Sequence, residues 1–387
     1  MGVGPGEMEA LVISSSFWSG KRVFVTGHTG FKGAWLSAML ERLNARATGY
    51  ALAPPTNPSL FDMIGAGALI DDRRGDIADL ASLEAALAAS EPDIVFHMAA
   101  QPLVSWGYRD PVETYRVNVM GAVALLEAVR RTPSVRAVVV VTTDKCYDNQ
   151  EWVWGYRETD RLGGRDPYAS SKACAELVTS AYSESFLAAT GVRVVSARAG
   201  NVIGGGDFAE NRILPDAVRA RIAGEKLMVR SPGAVRPWQH VLEPLYGYLL
   251  LAERTLTQEG VSGGFNFGPG VEGERNVAQL LDAFYRAMGV DGGWTHDRAH
   301  HPHEANLLRL DTSRANATLG WRPLLDFDEA LAWTAAWYGA YARGDDVRRT
   351  TFEQVDSYLG QRVRLDAPHA GVVDRPTQEP RHERKRA

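Results

Sequence analysis

"KRVFVTGHTGFKGAWLSAMLERL", residues 21–43, holds three local signals in succession. Val23, Phe24 and Val25 read as a buried strand, Gly27, Gly30 and Gly33 as a tight turn, and Ala34 to Leu43 as a helix with apolar residues at helical spacing. "ARATGYAL", residues 45–52, then reads as a second strand, so the stretch opens a βαβ unit. Further strand signals stand at "IDDRRGD", "PDIVFHMAA", "RAVVVVT", "VRVVSARAG" and "GGFNFG", with helical stretches such as "LASLEAALAAS" and residues 112–131 between them. Strands alternating with helices imply an α/β protein built on a doubly wound, Rossmann-type parallel sheet.

The alternation fails in residues 201–236 and 271–365, where Pro, His and Trp become more frequent. These segments are expected to form a smaller C-terminal lobe that binds substrate over the carboxyl edge of the sheet. The sheet domain is expected over 17–200, with a later contribution from about 237–270. Residues 1–16 and 366–387 carry the Gly, Pro and charge of loose termini. The helix at 112–131 has Val117, Val119, Met120, Val123, Leu125, Leu126 and Val129 nearly all round it, so it should pack on the sheet and on something else, such as a second subunit.

Composition narrows the function. The chain has 387 residues, 45% hydrophobic and 23% charged, with a formal net charge of -5, which is ordinary for a soluble globular protein and argues against a nucleic-acid-binding body. Cys146 and Cys174 are too few for a disulfide framework or an all-cysteine zinc site. No run approaches 18 apolar residues and the first residues lack a signal-peptide pattern, so a cytoplasmic protein without a membrane partner is expected.

Three motifs carry chemistry. The spacing G-x-x-G-x-x-G at Gly27, Gly30 and Gly33 lets a backbone approach a pyrophosphate at a helix N-terminus, although a purely structural turn uses glycine too. "TTDK", residues 142–145, closes the apolar run "RAVVVV" with a polar cluster of Thr143, Asp144 and Lys145. In "DPYASSKACAELV" Tyr168 and Lys172 lie four apart on one helical face, where an ammonium favours the phenolate of a Tyr that serves as base. The second strand ends Tyr50-Ala51-Leu52-Ala53-Pro54, with no carboxylate for a ribose and no neighbouring Arg for a 2′-phosphate, which leaves NAD against NADP open. Asp76 stands where a third-strand loop meets an adenine amine, or else simply caps a turn.

"TGHTGFKG", "HMAAQ", Thr143-Asp144-Lys145 and "YASSK" together resemble the nucleotide-sugar-modifying branch of the extended short-chain dehydrogenases/reductases. More narrowly, "FWSGKRVFVTGHTGFKG", "HMAAQPLV", "TTDKCYDNQEWVWGYRE", "GGRDPYASSK", "RAGNVIGGGD", "VRPWQHVLEPL" and "HEANLLRLD" resemble, in order, the CDP-glucose 4,6-dehydratases, from about Phe17 to Tyr338. The resemblance implies NAD as cofactor, CDP-glucose as substrate, a lyase reaction in deoxysugar biosynthesis that often serves O-antigen, and a homodimer or homotetramer. Tyr168 is then the base at the C4 hydroxyl, Lys172 positions the nicotinamide ribose, and Thr143 bonds the C4 oxygen. Asp144 is the acid at the C6 hydroxyl, and Lys145 either takes the C5 proton or stays charged and stabilises the enolate.

For cofactor binding the resemblance points to Gly27, Thr29, Gly30, Phe31, Lys32, Gly33, Asp76, Ile77, Ala99, Ala100, Gln101 and Asn118, with Tyr168 and Lys172. For the nucleotide sugar it points to Gln101, Asn201, Arg212, Leu214, Arg236, His240, His303 and Glu304. "HHPHE" is His-rich, but the implied chemistry needs no metal. Trp152, Trp154 and Trp238 read as packing residues. Two rivals remain: an epimerase or reductase on the same fold, which needs Thr143, Tyr168 and Lys172 but no acid beside them, and a non-catalytic dinucleotide sensor.

Overall fold

The computed structural model describes residues 13–270, 273–290, 292–299 and 307–366. The first half runs α1 (Ser15–Trp18), β1 (Arg22–Thr26), α2 (Phe31–Arg42), β2 (Arg46–Ala51), α3 (Leu60–Met63), β3 (Asp71–Arg74), α4 (Leu80–Ser90) and β4 (Ile94–His97). It continues with α5 (Val104–Arg109), α6 (Pro111–Tyr115), α7 (Gly121–Arg130), β5 (Ala137–Val141), α8 (Pro167–Tyr182) and β6 (Arg193–Ala199). Then come β7 (Asn201–Ile203), α9 (Ile213–Ala223), β8 (Leu227–Val229), β9 (Val235–His240), α10 (Leu242–Thr257), β10 (Gly263–Phe267) and β11 (Glu274–Asn276). The chain closes with α11 (Val277–Ala287), β12 (Trp294–His296), α12 (Ser313–Leu319), α13 (Phe327–Arg343) and α14 (Val347–Asp366).

Seven strands form one parallel sheet in the order β10-β6-β5-β4-β1-β2-β3. The strand order reverses between β1 and β4, and ligands of open α/β sheets bind in the crevice outside such a switch point. β5 lies inside the sheet, and all of its residues are buried because helices cover both faces. Smaller sheets, β11-β9-β7 and β12-β8, come mainly from the segments where the alternation fails, with β9 running on to His240.

Three details depart from the sequence reading. Residues 13–16 are folded: Ile13 is buried with its amide on the Tyr246 hydroxyl, and the Ser14 amide donates to Glu253. The helix expected over 112–131 begins at Pro111 and takes a π-turn over Arg116–Met120 between α6 and α7. A π-turn rephases the faces on either side of it, and Asn118, which lies within it, is buried. The segment assigned to the second lobe ends against the first, because α14 returns to α2, where Arg42 bonds Asp356 at 2.7 Å and stacks on Phe352. Among the described residues no helix is long and apolar enough to cross a membrane.

Candidate active site

The glycines of the first loop do different work. Gly27 has a positive φ, and a methyl on it would lie 2.7 Å from the Ala99 amide nitrogen; one on Gly33 would lie 2.3 Å from the Gly27 carbonyl oxygen. Both are therefore demanded by the protein's own backbone. Gly30 is different, since a methyl there would meet only the Gly27 carbonyl at 3.4 Å. It is the N-cap of α2, and no side chain caps the amides that follow it. That combination of a clear approach and free helix-end donors fits a pyrophosphate.

The floor of the crevice is tied together by neutral groups. Thr26 Oγ1 accepts the amides of Met98 and Ala99, so its own proton goes to His97 Nδ1 at 2.8 Å. That network assigns His97 the tautomer with its proton on Nε2, and burial pulls its pKa down to about 3, assisted by Lys172. Asn118 accepts the Gln101 amide and donates to the Gln101 carbonyl and to Ser171 Oγ at 2.8 Å. Gln101 is likewise engaged with Thr114 and Leu103. Asn118 ties the β4 loop to α8, and the Gln101 side chain ties it to α6. Ile77 is a core residue against Gly121, and Ala100 follows Ala99 on the half-buried rim of the crevice.

At the end of β2 one expectation is overturned. Arg74 donates to the Leu52 carbonyl at 3.0 Å, so an arginine does stand beside the second-strand end, brought there by the β2–β3 pairing. Thr29 Oγ1 donates to the same carbonyl at 3.0 Å. Asp72 bridges Arg74 to His28, whose burial lowers its pKa against the pull of Asp72. Asp76 accepts the Ala78 amide at 2.9 Å and pairs with Arg116 at 2.9 Å.

At the end of β5 the polar cluster divides. Thr142 turns away from the cleft to Glu176. Thr143 Oγ1 donates to Asp144 Oδ1 at 2.9 Å and accepts the Lys145 amide. Lys145 Nζ reaches the same Oδ1 at 3.1 Å and Asn201 Oδ1 at 3.4 Å. Asp144 is fully buried, and its Oδ2 has no hydrogen-bond partner within the protein. A buried carboxylate oxygen left over in this way is costly unless a ligand group takes it up.

Tyr168 is buried with the Thr143 side chain as a polar neighbour. Burial pushes its phenol up to about 12, opposed by Thr143 and the charge of Arg212. Lys172, the cation expected to lower it, bonds the Val141 carbonyl at 3.3 Å instead. Burial brings Lys172 down to about 8, and Glu176 and Cys146 oppose the fall.

Lys32 points away from its own loop. Its ammonium lies 5.9 Å from the ring centre of Tyr248, and burial together with Arg212, Lys172 and Lys145 lowers it to about 7, with Asp144 opposing. Tyr248, which the sequence did not single out, is buried with an unpartnered hydroxyl close enough to Tyr168 to feel its charge.

The substrate residues fare unevenly. Arg212 Nη1 bonds Asp207 at 3.2 Å and stays partly exposed at the N-terminus of α9. Asn201 is at the catalytic cluster through Lys145, and Arg236 bonds the Val235 carbonyl. Leu214 is core. His240 is a correction: it is fully buried between the rings of Trp35 and Trp333, and burial alone takes its pKa to about 3. His303 and Glu304 lie outside the described residues. Trp238 packs as expected, with its indole on the Arg275 carbonyl, whereas Trp154 is 59% exposed and Trp152 stacks on Tyr156 from outside.

Comparisons with known proteins bear on the family and the fold. A family model described as GDP-mannose 4,6 dehydratase matches residues 24–334. The chain is 48% identical over 359 residues to the CDP-glucose 4,6-dehydratase of Salmonella typhimurium, covering 91% of this chain and 100% of that one. It is similar in structure to a Thermus thermophilus UDP-glucose 4-epimerase in complex with NAD (TM-score 0.71, 26% identity, 82% of this chain and 98% of that one). A Streptomyces venezuelae dTDP-glucose 4,6-dehydratase with NAD bound has the same fold (TM-score 0.73, 23% identity, 84% of this chain and 99% of that one).

Proposed function

The chain belongs to the GDP-mannose 4,6 dehydratase family, and from that premise we propose how its site works. It is an NAD-dependent hydro-lyase that converts CDP-D-glucose to CDP-4-dehydro-6-deoxy-D-glucose and water. The cofactor fits the uncapped amides of Phe31, Lys32 and Gly33 over the clear side of Gly30, with Thr29, Ala99 and Asp76 along the crevice. When bound, NAD supplies an acceptor for the C4 hydride and returns that hydride to C6.

Every other part belongs to the chain. Thr143 orients the C4 hydroxyl and Tyr168 takes its proton, with Thr143 and the charge of Arg212 favouring the phenolate at the moment of transfer. The C4 ketone makes the C5 hydrogen acidic; the Asp144 carboxylate takes that proton on its unpartnered Oδ2, and the ammonium of Lys145 stabilises the enolate that remains. The C6 hydroxyl departs as water with the proton that Asp144 has taken from C5, which leaves Asp144 a carboxylate again. Arg212, Asn201 and Arg236 flank the route of the sugar nucleotide, and guanidinium forks match its diphosphate.

The observation that carries this reading is Asp144, a buried carboxyl beside Thr143 with one oxygen engaged and the other unpartnered. An epimerase needs Thr143, Tyr168 and Lys172 but has no task for that oxygen. The test is turnover of CDP-glucose with added NAD, followed by the alkaline absorbance of a 4-keto-6-deoxy sugar. Product without net NADH supports the reading; conversion of only dTDP-, GDP- or UDP-glucose overturns the substrate, and no conversion of any of them overturns the activity.

We place the enzyme in the cytoplasm as a homodimer or homotetramer. Tyr108, Val112, Tyr115 and Met120 are exposed along α5, α6 and the π-turn, an apolar strip suited to a second copy. Its product would feed deoxysugar synthesis for cell-surface polysaccharide such as O-antigen.

A further inference from the structure

Glu176 lies one turn beyond Lys172 on the same face of α8 and is 5% exposed. Its carboxylate is fully engaged. Oε1 accepts Thr142 Oγ1, the residue that immediately precedes Thr143, Asp144 and Lys145. Oε2 accepts Ser196 Oγ at 2.7 Å and Arg198 Nη2 at 2.8 Å, both from β6. Arg198, also 5% exposed, donates onward to the Tyr147 hydroxyl at 2.9 Å and the Glu158 carbonyl at 3.0 Å, and Tyr147 donates to Asn266 of β10 at 2.7 Å. One carboxylate thus joins β5, β6 and α8 directly behind the reacting cluster.

A buried ion pair is poor value for stability alone, since apolar side chains of similar shape often fold as well. The charges here have a second neighbour in Lys172. Besides Tyr168, one turn earlier on the same helix face, the titratable groups that interact with Lys172 include Glu176 from its own helix, Cys146 after β5, His97 at the end of β4 and Lys32 from α2. Burial keeps the Cys146 thiol and the His97 imidazole neutral, and Lys32 brings positive charge. Of the four, Glu176 is the carboxylic acid, and it is paired with Arg198 at 2.8 Å.

We propose that Glu176, ion-paired with Arg198, is a positioning residue for the reaction: it pins the strand end that presents Thr143, Asp144 and Lys145 and supplies a counter-charge to the Lys172 ammonium. The role builds on the proposed activity, so the test carries one readout that needs no turnover. In the holoenzyme, Glu176→Gln keeps the shape but not the charge: its amide oxygen can accept from Ser196 and Arg198, while its NH₂ donates to Thr142 Oγ1 and reverses that one bond. Its kcat falls about tenfold while KM for the sugar nucleotide stays within about twofold, because substrate contacts are untouched. The alkaline limb of kcat moves to lower pH, and Lys172 becomes labelled by acetic anhydride at lower pH, read by peptide mass spectrometry. Glu176→Asp, which keeps the charge, restores the limb and the labelling profile.

The double variant Glu176→Gln/Arg198→Met removes both buried charges and separates stability from positioning. It is expected to melt near the wild type and still to show low kcat and early Lys172 labelling. Wild-type kcat with an unmoved labelling profile, in either the single or the double variant, overturns the proposal. If the wild type converts no sugar nucleotide, the activity is refuted, and Lys172 labelling alone still decides whether Glu176 is its counter-charge.

Discussion

Replacing Asp144 by Asn isolates the dehydration step. The amide oxygen can still accept from Thr143 and Lys145, so the change is confined to the Oδ2 position, which lies beside Gly200 and has no partner in the protein. An amide cannot deliver a proton to the departing C6 hydroxyl. General acid catalysis contributes about 10²–10⁴-fold, which corresponds to about 2.7–5.4 kcal/mol of lost barrier lowering. Burying an amide NH₂ without a partner costs about 1–3 kcal/mol of stability, so a melting curve accompanies the kinetics. C4 oxidation depends on Thr143, Tyr168 and Lys172 and should survive. With CDP-glucose and NAD, the variant should build up reduced nicotinamide absorbance while the 4-keto-6-deoxy product forms at least about a hundredfold more slowly. A folded variant that dehydrates within about tenfold of the wild type would refute Asp144 as the acid and return the epimerase reading.

The loop glycines and the buried histidines give two further tests. Gly30→Ala should leave the melting temperature unchanged while weakening NAD binding about tenfold by fluorescence titration, whereas Gly33→Ala, whose methyl meets backbone at 2.3 Å, should lower stability itself; equal effects would mean that Gly30 faces no ligand. His97 and His240 fall from an ordinary 6.5 to about 3 in the fold, so their contribution is full above about pH 6.5 and is lost as pH falls from there towards about 3. Each should steepen the loss by up to about 1.4 kcal/mol per pH unit. Urea unfolding at about pH 7.5 and about pH 5.5 measures it, and His240→Asn, which keeps an acceptor for the Leu242 amide, should lessen the slope; stability that rises on acidification would contradict the sign.

What could be read along the chain was whatever depends on near neighbours. The period changes around Gly27 to Gly33 placed β1, the loop and α2, and the fourfold spacing of Tyr168 and Lys172 placed both on one helix face. The spacing also holds Glu176, at the next i+4 position, and a search for carboxylates on that face would have found it. Residues that act across the fold were not legible. Arg74 reaches Leu52 through a strand register, His240 ends between two tryptophans from distant segments, and Asn118 is turned towards Ser171 from a π-turn that no pattern announced. Burial decides these roles, and burial is a property of the assembled sheet and lobe.

Lys145 has two chemical roles open to it, and its surroundings favour one. A lysine that removes the C5 proton must first be neutral, with its lone pair aimed at carbon. Here Nζ is the donor in two bonds, to Asp144 at 3.1 Å and Asn201 at 3.4 Å, and the first is an ion pair with a fully buried carboxylate. The ion pair with Asp144 suits a fixed positive charge over a developing enolate. Arginine carries such a charge but is not a base at any working pH, so Lys145→Arg separates the roles where Lys145→Met cannot. If the side chain acts as a stabiliser, Lys145→Arg should keep turnover within about tenfold, against the loss of about 10²–10⁴-fold on removing a general base. Turnover in deuterated water supplies the direct measure, since deuterium entering C5 reports proton removal whatever follows. Loss of that exchange in folded Lys145→Arg beyond about a hundredfold would make Lys145 the base and require Asp144 to release it during the cycle.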